Sequence, residues 1–113
     1  MTRLTRLAGS PPAAVEEALQ RLGRNIRTAR LRRRLPQAAL AERMGVSRFV
    51  VADVERGKPT TGVAAYVGAL WALGLLGGLS EVAEPDRDEE GKALERARGP
   101  KRARSRRSLS DEF

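Results

Sequence analysis

Histidine and cysteine are both missing from this 113-residue chain, and the two absences narrow the chemistry open to it. Without them the chain has no imidazole base, no thiol nucleophile and none of the usual zinc ligands. No pair of carboxylates and no glycine-rich phosphate loop stands out among the remaining residues. We therefore expect a protein that is not an enzyme and that uses neither a metal nor another cofactor.

Aromatic residues and long apolar runs are also scarce. Because only 4% of the residues are aromatic, the core must be built from Leu, Val, Ile, Ala and Met. There is no run of about 20 apolar residues that would predict a transmembrane span, and residues 1–7 lack the apolar stretch of a signal peptide. The absence of cysteine also removes any disulfide framework, so we expect one small domain with tails, located in the cytoplasm.

Positive charge is what the chain has in excess. Its 22 Lys and Arg against 14 Asp and Glu give a net charge of +8, and the isoelectric point is near 11.3. Such a balance favours an anionic partner, and nucleic acid is the first candidate. A membrane surface is less favoured, because the basic segments lack a large apolar face.

Residues 37–57 have the pattern of a helix-turn-helix, in which the second of two short helices lies in the major groove of DNA. The predicted seam between the helices consists of four apolar residues at helical spacing, Leu40, Met44, Val51 and Val54. Gly45 suits a turn with positive φ, while Ser47 and Gly57 are predicted to cap the second helix at its start and its end. A helical hairpin without DNA contact is the alternative.

The surrounding sequence predicts a flexible arm over 1–12, a DNA-binding domain over 13–84 and a charged, largely disordered tail over 85–113. Ser10 is the predicted cap of a long helix from Ala13 to about Arg34, which Gly23 divides and Pro36 ends. Residues 86–95 are mixed in charge and compatible with a fraying helix. The seven Lys and Arg between 96 and 107 are expected to be disordered in the free protein and to favour DNA, whereas Leu109 and Phe113 suit a protein partner.

The region after the motif predicts one further helix and a short helical segment. Threonines 60 and 61 are the predicted caps of a helix from about Gly62 to Leu73, which would bury Val63, Val67 and Leu70. Tyr66 or Trp71 is a further candidate for burial in this helix. A short segment bracketed by glycines and Pro85 follows at 75–82.

The segment from about Leu22 to Leu75 resembles the Xre/phage-repressor family of five-helix, lambda-repressor-like DNA-binding domains. Residues 35–47 and 54–57 carry this resemblance. Residues 69–75 resemble the ending of HipB-type antitoxins, and the tail resembles that of relatives encoded beside HipA-like kinases. The resemblance implies an all-α homodimeric repressor of transcription that binds a double-stranded operator and acts as the antitoxin of a HipA-like serine/threonine kinase toxin. A free-standing Xre-type or phage-derived regulator and a basic RNA-associated protein are the alternatives.

The resemblance also implies roles for individual residues. Gln37 matches a residue that contacts the DNA backbone, and Arg30 and Glu55 match a buried ion pair between the first core helix and the recognition helix. The recognition positions are Ser47, Arg48, Phe49, Val50 and Asp53. Apolar Phe49 and Val50 stand where repressors of this kind often carry Gln, Ser or Thr, which argues against a base readout made only of hydrogen bonds.

Helix geometry supports part of this assignment independently. If Val51 and Val54 point inward, then Phe49, Asp53 and Arg56 point outward. Arg48 in the first turn could reach a guanine edge or a phosphate, and Phe49 could contact a thymine methyl. The alternatives are solvated surface charge for Arg48 and Arg56, and packing against the first helix or a partner for Phe49. Asp53 would either accept from a cytosine amine or orient Arg56.

Two sets of residues complete the candidate sites. Lys58 and Thr60, which follow the recognition helix, are added to the DNA-binding set, with Lys58 as a backbone contact. Because one recognition helix reads only a few base pairs, we expect a homodimer on two half-sites. The candidate dimer surface consists of Trp71, Leu75, Leu76, Leu79 and Val82. For Trp71 and Tyr66, packing in the core or in a dimer is favoured over stacking on nucleic acid.

Overall fold

A computed structural model describes residues 5–99 of the chain, and in this range the protein is built from helices without a strand. The α-helices are α1 (Arg6–Gly9), α2 (Ala13–Arg32), α3 (Gln37–Met44), α4 (Arg48–Glu55), α5 (Val63–Ala72) and α6 (Glu89–Arg98). Two 3₁₀ helices span Leu76–Glu81 and Pro85–Arg87. The prediction of an all-α protein is confirmed. The chain divides into two compact units, of which the first ends at Gly77 and the second begins at Gly78, whereas the sequence suggested a boundary after residue 84.

Some predictions fall outside the described residues. These are the disorder and DNA contact expected of the basic run beyond residue 99, and the partner contacts expected of Leu109 and Phe113.

Two segments inside the range differ from the sequence prediction. Residues 6–9 of the predicted arm form α1, because the Thr5 Oγ1 accepts from the Ala8 amide at 3.0 Å and caps the turn.

The second unit contains more helix than the sequence suggested. Helix α6 covers residues 89–95, for which the sequence allowed a fraying helix, and extends to residues 96–98, which were predicted to be disordered. This helix is capped by the Asp88 carboxylate, whose Oδ1 accepts from the Gly91 amide at 2.9 Å. Acidic residues occupy its first turn and arginines its last, which suits the helix dipole and offsets the low apolar content.

Helix α2 is the long helix that the sequence predicted, running for 20 residues from Ala13. Its N-cap is Pro12 and no side chain caps it, so the predicted role of Ser10 is wrong; two prolines separate Ser10 from the first helical residue. At the other end, Arg34 adopts a left-handed conformation with φ of 53°, and Pro36 then stands as the N-cap of α3. The chain therefore turns sharply between α2 and α3.

Gly23 lies inside α2 and does not divide it, contrary to the sequence prediction. The residue is buried against the end of α4, where a Cβ atom would lie 2.6 Å from the carbonyl oxygens of both Val54 and Glu55. The glycine is thus required by the close approach of two backbones rather than by a break in the helix. This contact brings α2 and α4 together where the candidate site is anchored.

The connection between α3 and α4 has the tight geometry that the sequence predicted. Gly45 has φ of +75°, and the Val46 amide returns to the Ala41 carbonyl at 3.0 Å. Ser47 occupies the N-cap of α4, but its hydroxyl makes no cap hydrogen bond, so the predicted position is right and the predicted bond is absent. Gly57 follows α4 with φ of +70°, in a conformation that glycine adopts without strain.

The core of the first unit lies between α2, α3, α4 and α5. Its buried residues are Ile26, Ala29, Leu40, Ala41, Val51, Val54, Tyr66, Ala69 and Leu73. Helix α5 presents only part of the predicted face: Tyr66 is buried in the core, as the sequence favoured, together with Ala69, whereas Val67 and Leu70 are half-buried and Val63 is 76% exposed. Because nearly every residue of α5 is apolar, its periodicity could not identify the inner face. The helix starts after Gly62, and neither threonine caps it.

Tyr66 joins α5 to the loop that follows α4. Its hydroxyl donates to the Lys58 carbonyl oxygen at 2.8 Å while the ring lies in the core. Burial, with a smaller contribution from the charge of Asp53, raises the pKa of Tyr66 above its ordinary value. The folded protein therefore holds this proton more tightly than the unfolded chain does.

This difference predicts that stability falls with pH in the alkaline range. The contribution of Tyr66 is fully present below pH about 10, where the unfolded phenol starts to ionise, and is lost as the pH rises through the raised folded pKa. Since Tyr66 is the only tyrosine, phenolate absorbance follows it directly, and Tyr66→Phe should flatten the alkaline fall in Tm. A phenolate titration at the pKa of free tyrosine would contradict this assignment.

Candidate nucleic-acid interface

The inner side of α4 is anchored by a buried ion pair between Arg30 on α2 and Glu55 at the end of α4. The Arg30 Nε lies 2.6 Å from one carboxylate oxygen of Glu55, and Nη2 donates to the other at 3.0 Å. Both side chains are at least nine-tenths buried. The hydrogen bond that Arg30 donates to Glu55 raises the pKa of Arg30, with burial acting in the opposite direction. The pair is thus bidentate, the geometry that guanidinium and carboxylate favour.

Two further hydrogen bonds extend this pair into a network that we call the Arg30–Glu55 network. The Arg30 Nη1 donates to the Leu35 carbonyl at 2.8 Å, and the Gln37 Nε2 donates to Glu55 Oε1 at 3.1 Å. The resemblance assigned Gln37 a contact with the DNA backbone. In the structure its side chain is hydrogen-bonded to Glu55 and so connects the start of α3 to the end of α4. The bond to Gln37 was missed because its partners lie 18 residues apart with no local signal.

The outer side of α4 consists of Arg48, Phe49, Ala52, Asp53 and Arg56, and we call this set the outer face of α4. The opposite side is closed by Val51, Val54 and Glu55, all of which are buried. Phe49 is 68% exposed, so its packing against the first core helix, one of the sequence alternatives, is wrong. Val50 is half-buried at the flank, and Ser47 is exposed at the start of the helix.

The charges around the outer face are arranged about one carboxylate. Asp53 forms an ion pair with Arg56, and the Lys58 Nζ lies 3.7 Å from its other oxygen. Of the two roles considered for Asp53, orienting Arg56 is the one that the structure contains. Exposed pairs such as these contribute little stability, so their main effect is to position the cations. Thr60 is exposed in the loop between α4 and α5.

Arg48 and Phe49 are in contact at the start of the outer face. The guanidinium carbon of Arg48 lies 5.3 Å from the centroid of the Phe49 ring, within the range of a cation–π interaction. Both side chains are exposed, and neither belongs to the core. An apolar ring and a planar cation therefore stand together, both exposed, in the first turn of α4.

The residues predicted to form a dimer surface are all exposed. Trp71 is 60% exposed, and Leu75 and Leu76, in the same unit, are exposed as well. Leu79 and Val82 are exposed on the second unit. Packing of Trp71 in the core is therefore wrong, and a partner remains the open alternative for this side chain.

Within residues 5–99, no group of three or more acidic side chains could hold a metal ion, and each helix is too short or too polar to cross a bilayer. Comparison with protein-family models, with curated proteins and with solved structures finds no match for the chain.

Proposed function

We propose that the protein is a sequence-specific DNA-binding repressor of transcription, with a five-helix, lambda-repressor-like arrangement in its first unit. The observation that carries this proposal is the two-sided character of α4. Its inner side is held rigidly by the core and by the Arg30–Glu55 network, while its outer face keeps an arginine pair and an aromatic ring exposed. An α-helix held in this way fits the major groove, where arginine and apolar groups read base edges.

The electrostatics of the same region support a polyanionic ligand. Around the outer face, Arg48, Arg56 and Lys58 outnumber the single carboxylate of Asp53. The exposed arginines of α2 and the net charge of +8 add a long-range attraction to phosphate. The exposed phenylalanine beside these cations does not contribute to the core of the helical bundle, so its position favours contact with a ligand.

We further propose that the repressor acts as a homodimer and as the antitoxin of a HipA-like serine/threonine kinase toxin. Exposed Trp71, Leu75 and Leu76 at the end of α5 support the dimer, because large apolar side chains at this density favour a protein partner. The antitoxin role is supported by the resemblance of residues 69–75. A kinase gene beside this one would distinguish it from a free-standing regulator.

Binding to DNA is tested by selecting duplexes from a random-sequence library and measuring affinity for a selected and a scrambled duplex. Arg48→Ala should weaken binding to the selected duplex by about 1–3 kcal/mol and reduce its advantage over the scrambled one. Lys58→Ala should weaken binding to both alike and lower the slope of log affinity against log salt by about 0.9. Sedimentation of the complex should show two chains on each selected duplex.

Arg21→Ala is the matched control, since it removes the same charge from an exposed position on α2. It should leave the preference for the selected duplex intact. Equal losses on both duplexes for Arg48→Ala would make Arg48 a phosphate contact. If no sequence is enriched, the proposal fails in favour of a general, basic nucleic-acid binder.

A further inference from the structure

Phe49 is exposed outside the core of the first unit, whereas the other apolar residues of α4 are buried or half-buried. Val51 and Val54 are 1% and 0% exposed, whereas Phe49 is 68% exposed. Exposure of so large an apolar side chain on a helix of eight residues brings no stability. The guanidinium of Arg48 lies over the Phe49 ring.

The geometry of this contact restricts what the two side chains can reach together. Their centres lie 5.3 Å apart, and successive base pairs in DNA are stacked about 3.4 Å apart. Because this separation is smaller than two such steps, the two side chains can meet neighbouring base pairs if both reach the major groove. The guanidinium fork matches the O6 and N7 acceptors of guanine, and an apolar ring matches a methyl group at C5 of a pyrimidine.

Resting on the proposed function, we propose that Arg48 and Phe49 act as one reading unit for a C5-methylated pyrimidine next to a guanine. Thymine carries this methyl group, and 5-methylcytosine carries the same group at the same carbon. Cytosine and uracil lack it. The inference deepens the proposed function in two ways: binding depends on one methyl group, and methylation of a cytosine at this position strengthens it.

The pairing of the two side chains has a second consequence. A ring beneath the guanidinium holds it in one plane and so reduces the conformational entropy lost when it binds guanine. Removing Phe49 should therefore weaken the reading of guanine as well as the reading of the methyl group. The effects of Arg48→Ala and Phe49→Ala should then be less than additive.

The test measures binding of the full chain to a duplex selected from a random-sequence library. Each pyrimidine that lies beside a guanine in this duplex is replaced in turn by thymine, uracil, cytosine or 5-methylcytosine. At one such position, the unmodified protein should bind the thymine duplex about fourfold more tightly than the uracil duplex, the effect of one methyl contact. It should bind the 5-methylcytosine duplex more tightly than the cytosine duplex by a similar factor. Phe49→Ala should abolish both preferences.

Phe49→Leu serves as the matched variant, because leucine keeps an apolar surface but has no π face. It should retain the methyl preference and show the same loss of guanine discrimination as Phe49→Ala, roughly tenfold or less. Circular dichroism should show all variants folded, as expected for an exposed position.

Equal binding of thymine and uracil duplexes at every position, or a methyl preference that survives Phe49→Ala, would overturn the inference while leaving sequence-specific binding in place. If the library yields no enriched sequence, the proposed function fails and this inference fails with it.

Discussion

Replacing Arg30 with alanine is expected to lower the free energy of unfolding by about 3–5 kcal/mol, the usual effect of removing one partner from a buried ion pair. The substitution leaves the buried Glu55 carboxylate without its cation and the Leu35 carbonyl without its donor. In a unit of this size, 1 kcal/mol corresponds to a change in Tm of about 4–8 °C. Thermal and urea denaturation followed by circular dichroism should therefore show a fall in Tm of more than about 10 °C.

The control for this experiment is Arg27→Ala, an exposed position three residues earlier on α2, where a change within about 0.5 kcal/mol is expected. The double variant Arg30→Met with Glu55→Leu should recover much of the lost stability, because it removes both charges and keeps the volume. If Arg30→Ala melts within a degree or two of the unmodified protein, the network does not hold α4 in place.

Two glycine-to-alanine substitutions are expected to act in opposite directions although the chemical change is the same. Gly23→Ala would place a Cβ atom 2.6 Å from two carbonyl oxygens of α4, so α2 must move away and the Arg30–Glu55 network must shift with it. We expect a loss of about 1–3 kcal/mol, the usual cost of overpacking, despite the better helix propensity of alanine.

Gly68→Ala, in the middle of α5, is the matched comparison. A Cβ atom there would lie 3.7 Å from the Met44 Cε, an ordinary contact with a flexible side chain. The gain in helix propensity should then raise stability by about 0.5–1 kcal/mol. The free energies of unfolding are compared by urea denaturation, and a stabilised Gly23→Ala protein would show that the backbones of α2 and α4 do not come this close together.

Much of the site follows from short-range patterns in the sequence. Val51 and Val54 at helical spacing determine which side of α4 faces the core, and hence that Phe49, Asp53 and Arg56 face outward. Turn chemistry likewise determines the conformation of Gly45. These inferences hold because the periodicity of a helix and the steric limits on φ are local properties of the chain.

Other features were decided by tertiary structure alone. The role of Gly23 depends on the backbone of α4, which begins to contact it 31 residues further along the chain. From the local sequence, a glycine inside a helix predicts only a possible break. The inner face of α5 was likewise undetermined, since a helix that is apolar all round can be buried on any side. The place of Gln37 in the Arg30–Glu55 network depends in the same way on three helices meeting.

The sequence by itself therefore determined the helical class, the α3–α4 turn and the residues that α4 turns outward, because each depends on neighbours within a few positions. Only the tertiary structure decided how closely α2 approaches α4, which side of α5 is buried, and that the Arg48 guanidinium lies over the Phe49 ring. The physical reason is that packing between helices is set by the shapes of surfaces distant in sequence, and no local pattern encodes the distance between them.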